Sequence, residues 1–414
     1  MDFYEKVLEI HKATEKERKE LLSKADSVVE KLQKELDKQK INAEVMLGGS
    51  AAKGTFVKGD FDCDVFIRFS CEYIDNQLSE LLENALKIFS GVSRVHGSRD
   101  YFQANVEGID YEFVPVRNVS TPKEAINVTD CSPLHVKWMK KNIKKKPKLS
   151  DEIILTKLFC KALSIYGAES YIRGFSGHVI DILLVYYQTF ENLLKASKNW
   201  EKDYVVDVEN HNTAEEINGS KVTSLIVIDP IEPERNAAAA LSLKSMNYFK
   251  QKAKEFLQNP SESYFTKKPI TVSYLKAIKG ENDLFILEVT PIDTKIDIAG
   301  AKLLKAFEHI KKQLKLNDFT LIEADWEWDK KNDALFYFIV KPETLSKKKL
   351  REGPPIKAKE NAEKFKKKYS GYWEENGRLY AYAKRDFTKA RDLLKYLISS
   401  EYVHERVEKI KLKD

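Results

Sequence analysis

Thiols and imidazoles are scarce and scattered in this chain. Its 414 residues include four cysteines (Cys63, Cys71, Cys131, Cys160) with no CxxC spacing, and seven dispersed histidines. That argues against a zinc site or a disulfide framework and makes a reducing cytoplasm the default expectation. Long apolar runs are missing too. The longest, residues 179–187, is interrupted by Asp181 and is too short to span a bilayer. The first residues are charged and helix-patterned rather than a signal-peptide core. There is no repeat and no low-complexity linker. What remains, 43% apolar and 32% charged residues, describes a globular chain long enough for two to four domains.

The net charge of +6 is modest, but it is unevenly placed. Residues 341–395 carry 17 basic and 8 acidic side chains, so the remainder is slightly acidic. A second lysine cluster comprises Lys137, Lys140, Lys141, Lys144, Lys145, Lys146 and Lys148. Localised basicity suits a phosphate backbone, and the excess of lysine over arginine favours backbone attraction over base readout. RNA is the expected partner.

Residues 47–69, LGGSAAKGTFVKGDFDCDVFIRF, concentrate the chemistry. A Gly-Gly-Ser turn offers backbone N–H groups and a hydroxyl to phosphate. Asp62 and Asp64 then stand two apart in a strand-like run, where alternation puts both on one face and Cys63, Val65, Ile67 and Phe69 in a core. Paired carboxylates suit the magnesium that accompanies a nucleoside triphosphate. A two-metal site needs another acid. The spacing predicts strands over 101–106 and 109–116 joined at Glu107–Gly108, with Asp110 and Glu112 on the face opposite Ile109, Tyr111 and Phe113.

Apolar spacing at Leu21, Ala25, Val28, Leu32 and Leu36 predicts a helix before this unit. The expected layout is an α+β multidomain chain. An α/β catalytic head occupies 1–145, and a helical central domain occupies 146–262, with helices over 153–166, 176–200 and 234–257. An α+β body resembling RNA-recognition folds follows over 263–350, in β-α-β-β order. After a break at Gly353-Pro354-Pro355, a basic tail over 351–414 is expected to hold a helix, a hairpin turning at Asn376–Gly377, and a last helix.

Gly-Ser, a spacer, Asp-x-Asp and a later strand acid together resemble the nucleotidyltransferase superfamily of DNA polymerase beta and the poly(A) polymerases. Further segments narrow this. CSPLHVKWMKKNI, LTKLFCKALSIYGAESYIRGFSG, IDPIEPERNAAAALS and the tail's GPPIKAKENAEKF and ENGRLYAYAKRDF, in that order, resemble the archaeal (class I) CCA-adding enzymes. The resemblance implies template-independent rebuilding of the 3′-terminal CCA of tRNA from CTP and ATP with Mg2+. It also allows a homodimer. It places Gly49, Ser50 and Lys53 at the triphosphate and Asp62, Asp64 and Glu112 on metal, with Asp110 able to share or replace the third role. It places Ser132, His135, Lys157 and Tyr166 on the nucleotide's phosphates and sugar, and Arg235 at the base edge. This chain departs from the family at Glu112, where aspartate is usual, at Lys53, where arginine is common, and at Ala51, where tyrosine is familiar. The alternative within the superfamily is another RNA nucleotidyltransferase, such as a poly(A) polymerase or an oligoadenylate synthetase.

Overall fold

The computed structural model describes residues 3–413, which divide between Lys268 and Pro269 into two compact units. The first begins with α1 (Phe3–His11) and α2 (Glu15–Lys38). A capping box starts α2: Thr14 Oγ1 accepts from the Glu17 N–H, and the Glu17 carboxylate accepts from the Thr14 N–H at 2.8 Å. The predicted stripe is real, with Ala25, Val28, Leu32 and Leu36 buried.

These residues cover one face of a five-stranded sheet ordered β1-β2-β5-β4-β3, made of β1 (Ala43–Leu47), β2 (Asp62–Phe69), β3 (Ser93–Val95), β4 (Tyr101–Val106) and β5 (Ile109–Arg117). Only β2 and β5 pair in parallel; the other neighbours are antiparallel. Cys63, Val65, Ile67 and Phe69 alternate into the core with Ile109, Tyr111 and Phe113, against α2 and α4 (Leu78–Ala85). A large side chain so buried contributes about 1.5–3 kcal/mol, and a one-residue slip would turn every acid inward. Glu107 and Gly108 both take positive φ (54° and 80°), so the β4–β5 turn has the two left-handed residues a tight hairpin needs.

The short helix α3 (Gly49–Lys53) joins β1 to the loop before β2. Helices α5 (Ser132–Lys145), α6 (Leu149–Ala162), α7 (Gly177–Tyr187), α8 (Phe190–Ser197) and α9 (Leu243–Gln258) surround a second core that includes Phe159, Phe175, Trp200 and Phe249. Three helix expectations need correction here. The first ends at Ala162, and Ser164 (φ 56°) turns the chain so that Tyr166 bridges Phe175 in extended form. The second is broken by Gln188 (φ 71°), after which Thr189 caps α8. The third starts at Leu243, because Asn236 is used elsewhere: its amide holds the Val227 N–H and the Leu225 carbonyl, fastening 234–241 beside a strand. That strand, β7 (Leu225–Ile228), pairs in parallel with β6 (Tyr204–Asp207); neither was expected.

The second unit opens with α10 (Val272–Ile278) and contains a four-stranded antiparallel sheet ordered β14-β8-β10-β9. β8 (Asp283–Pro291), α11 (Ile296–Leu316), β9 (Leu321–Glu327) and β10 (Ala334–Val340) reproduce the expected β-α-β-β order. Leu303, Phe307 and Ile310 of α11 pack on the sheet with Leu393 and Leu397 of α13 (Ala390–Ile398). After α14 (Glu401–His404), an unexpected strand, β14 (Val407–Lys413), completes the sheet beside β8.

A small sheet of β11 (Lys348–Pro355), β13 (Arg378–Lys384) and β12 (Trp373–Glu375), in that order, accompanies α12 (Lys359–Lys368). The Gly-Pro-Pro segment is therefore strand rather than break. β11 lies at the edge, where proline's missing donor is tolerated, and its register shifts between Glu352 and Pro355. A Cβ on Gly353 would stand 2.9 Å from both the Leu379 carbonyl oxygen and the Phe365 ring.

Candidate active site

The acids form a ladder. In the parallel pair β2–β5, Asp62 stands opposite Asp110 and Asp64 opposite Glu112, all four on the face away from the core. Asp62 and Asp110 are exposed, whereas Asp64 and Glu112 are half-buried. Burial, then the charges of Asp62 and Glu112, push the Asp64 carboxyl up to about 6, with Lys53 and Lys157 pulling the other way. Each acid on β5 is tethered from its cross-strand neighbour on β4: Gln103 Nε2 donates to Glu112 at 2.7 Å and Asn105 Nδ2 to Asp110 at 2.6 Å.

The Gly-Gly-Ser turn lies against this ladder. The Gly48 N–H donates to the Asp64 carbonyl at 2.7 Å. Gly49 has φ +51°, and a Cβ there would fall 1.6 Å from Asp64 Oδ2; one on Gly48 would fall 2.4 Å from the Phe66 ring. Both positions therefore demand glycine, Gly49 because the backbone and the Asp64 carboxylate occupy adjoining space. Ser50 and Lys53 follow on α3.

Lys53 Nζ donates to Asp181 Oδ2 at 2.5 Å, joining α3 to α7. Lys157, buried on α6, donates to the Thr55 carbonyl at 3.0 Å and to its hydroxyl. Burial pushes the Lys157 ammonium down to about 8, opposed by Asp181. Burial also raises the Tyr166 phenol, and Lys161 Nζ sits 4.7 Å from the centre of that ring. Asp181 was not among the expected site residues. Its signal was there to read, a lone charge inside the apolar run 179–187.

Ser132 and His135 stand at the start of α5, and buried Asp130 anchors that start. Its carboxylate accepts from Arg99 at 2.5 Å and from the N–H groups of Arg117, Ile126 and Asn127. A second hub lies at Asp229, which is fully buried just after β7. Oδ1 accepts from His135 Nε2 at 2.8 Å and from the N–H groups of Ile231 and Glu232; Oδ2 accepts from His178 Nε2 at 2.9 Å and Arg235 Nη1 at 3.1 Å. Burial raises this carboxyl, but the histidine hydrogen bonds outweigh it and hold it far below the usual range. His178, also unexpected, is lowered chiefly by burial.

Among the described residues, only His135, His178 and Asp229 bring three metal-type donor atoms within 4.8 Å of one another. Five donors already fill the Asp229 oxygens, one of them a guanidinium, so a cation there would displace hydrogen bonds and meet Arg235. The acid ladder is more open and offers only carboxylate oxygens, with no cation hydrogen-bonded to them among the described residues, which is the donor chemistry of magnesium. The twelve expected site residues thus fall into three groups of one unit: Asp62, Asp64, Asp110 and Glu112 with Gly49 and Ser50; Lys53, Lys157 and Tyr166; and Ser132, His135 and Arg235.

Comparison with known proteins accords with this arrangement. The family profile of the nucleotidyltransferase domain matches residues 29–102, that of the tRNA nucleotidyltransferase second domain matches 151–266, and that of the CCA-adding enzyme C-terminal domain matches 290–409. The CCA-adding enzyme of Nanoarchaeum equitans is 34% identical over 381 residues, covering 90% of this chain and 91% of that protein. That of Methanosarcina barkeri is 32% identical, covering 97% and 91%. Among solved structures, the Cid1 RNA terminal uridylyl transferase superposes with a TM-score of 0.52 at 14% identity, covering 65% of this chain and 98% of that one, which shows a shared nucleotidyltransferase fold. With a third of its residues shared along nine-tenths of both chains, this protein belongs to the archaeal CCA-adding enzyme family of tRNA nucleotidyltransferases.

Proposed function

We propose that the chain adds and repairs the 3′-terminal CCA of tRNA, taking CTP and ATP in turn without a nucleic-acid template and releasing pyrophosphate. The observation that carries this reading is the acid ladder, Asp62 and Asp64 facing Asp110 and Glu112 across a parallel strand pair beside Gly49. Asp62, Asp64 and Glu112 would hold Mg2+, with Asp110 next to the outer end. Bound there, magnesium supplies charge neutralisation on the triphosphate and acidifies the tRNA 3′-hydroxyl that attacks the α-phosphorus in line.

The protein's own groups do the rest. Asp64, with its carboxyl near 6, must lose its proton before a cation can settle against it. Ser50 and Lys53 meet the triphosphate, and Lys53 exchanges the Asp181 carboxylate for phosphate. Buried Lys157, anchored on Thr55, adds positive charge below about pH 8, while Ser132, His135 and Tyr166 orient phosphates and sugar. Arg235 reads the base edge. We assign these tasks to the head at 1–145 and the central domain at 146–262, and RNA binding to the body at 263–350 and the basic tail at 351–414.

The partners are tRNA, CTP and ATP, and the family allows a homodimer. No helix among the described residues is long and apolar enough to cross a membrane. The four cysteines are free, which suits work in the cytoplasm. The test is pyrophosphate release from CTP on a tRNA lacking CCA. It should require Mg2+ and fall by roughly 10²–10³-fold or more in D64A, about 3–5 kcal/mol of transition-state stabilisation. Near wild-type turnover by D64A would defeat the assignment.

A further inference from the structure

The hub at Asp229 gathers side chains from three separate segments. His135 comes from α5, His178 from the first turn of α7 and Arg235 from the loop after β7, and each donates to one buried carboxylate. An ionised carboxylate can only accept, so both imidazoles carry a proton on Nε2, and the Nδ1 edge of His135 is turned away from Asp229. The two rings lie 4.3 Å apart, so His178 also fills the space into which His135 would otherwise swing.

Arg235 is held in a corresponding way. Its Nη1 bridges Asp229 at 3.1 Å and Glu232 at 3.0 Å, occupying both hydrogens of that nitrogen. The planar edge made by Nε and Nη2 makes no hydrogen bond among the described residues. A guanidinium pinned by one nitrogen presents its remaining fork in a single plane, the geometry that distinguishes one base edge or phosphate from another. The side chain stays 39% exposed while its anchor is fully buried.

We infer that Asp229 and His178 are positioning residues for nucleotide choice, which touch no substrate but set the presentation of His135 and Arg235. This rests on the reading that those two meet the incoming nucleotide. Asp229 fixes the His135 tautomer and the Arg235 plane together, so the sugar end and the base end of the subsite are built on one carboxylate. His178 braces that carboxylate at Oδ2, the oxygen it shares with Arg235. Neither residue was expected from the sequence as part of the site.

The experiment measures kcat and KM for CTP, ATP, UTP and GTP on tRNA substrates, for wild type, H178A, H178Q, D229N, R235A and the H178A/R235A pair. Wild-type use of CTP and ATP tests the underlying function first; its failure would remove the reading and this inference with it. In H178A the preference for CTP over UTP should fall about tenfold to a hundredfold, the scale of one bidentate contact. The loss should enter through KM. H178Q, whose amide Nε2–H takes the place of the imidazole Nε2–H toward Asp229, should recover most of it.

In the R235A background, H178A should cost less base preference than it does in wild type, since that part of its effect runs through the guanidinium and only the part through His135 remains. A residue needed only for folding would instead lower all four nucleotides equally and additively. Should D229N fail to fold, the His178 series still decides, because that side chain is 25% exposed at the rim of the hub. Folded H178A with wild-type preference, or losses in H178A and R235A that simply add, would overturn the inference.

Discussion

Replacing Gly49 by alanine should separate catalysis from folding more cleanly than any charge deletion. The new Cβ would lie 1.6 Å from Asp64 Oδ2 and 2.8 Å from its Cγ, so the methyl and the carboxylate cannot coexist. Two relaxations are open. The turn could shift, but the Gly48 N–H is tied to the Asp64 carbonyl at 2.7 Å, and a Cβ on Gly48 already has no room beside Phe66. The Asp64 side chain is therefore what moves, rotating off the ladder opposite Glu112. The left-handed backbone at φ +51° adds about 1 kcal/mol for a non-glycine residue.

The stability loss in G49A should thus be small, about 1–2 kcal/mol, whereas displacing Asp64 should cost roughly 10²–10³ in kcat, comparable with losing one preorganised charge-stabilising group. G48A is the internal control. Its Cβ meets the ring of Phe66, which packs with Val116 and Val136, so overpacking of about 1–3 kcal/mol should appear mainly in denaturant unfolding. Single-turnover CMP incorporation and urea melts on the two variants provide the comparison. G49A with kcat within tenfold of wild type would show that Asp64 need not stand where the structure has it, and the argument for the ladder would fail.

Two further predictions concern charge. The Asp64 carboxyl, raised from 3.8 to about 6, binds a proton in the folded state at a pH where the unfolded chain does not. Without metal it therefore destabilises the fold above pH 6, by up to about 3 kcal/mol, and the penalty fades as pH falls toward 4. D64N should be the more stable protein at pH 7.5 in chelator, with the gap about halved at pH 5 and nearly closed at pH 4; a constant gap would refute the shift. For the tail, tRNA affinity should drop on the order of a thousandfold between about 50 and 200 mM salt. Alanine at Lys366, Lys367 and Lys368, the basic last turn of α12, should lower the log–log slope by about one for each lysine that meets a phosphate. A flat salt dependence would exclude residues 341–395 as an RNA track.

Strand alternation made the head legible. With period 2, an acid at 62 and 64 and another pair at 110 and 112 have only one face to share once Cys63, Val65, Tyr111 and Phe113 are buried, and the pairing of Asp64 with Glu112 follows from sheet order. The central region was harder, because its interactions are long-range. Asn236 lies in an alanine-rich stretch that reads as helix, yet its amide bonds to β7 hold it extended. His178 carries no local mark: its role depends on Asp229, 51 residues away, which also collects His135 from 94 residues away. Asp181 was visible as an anomaly in an apolar run but not as the partner of Lys53, 128 residues earlier. In the second unit, Gly353-Pro354-Pro355 reads as a break in sequence because an edge position cannot be read from one strand alone.

The central claim is the reaction itself. Purified protein would be incubated with a tRNA ending at the base before CCA, together with CTP, ATP and Mg2+, and the 3′ ends of the products sequenced. Termination after C, C and A, with two cytidines appearing before the adenosine, is the predicted result. A long adenosine tail, or no incorporation of CTP, would contradict the account and point to a poly(A)-type or oligoadenylate-forming activity instead.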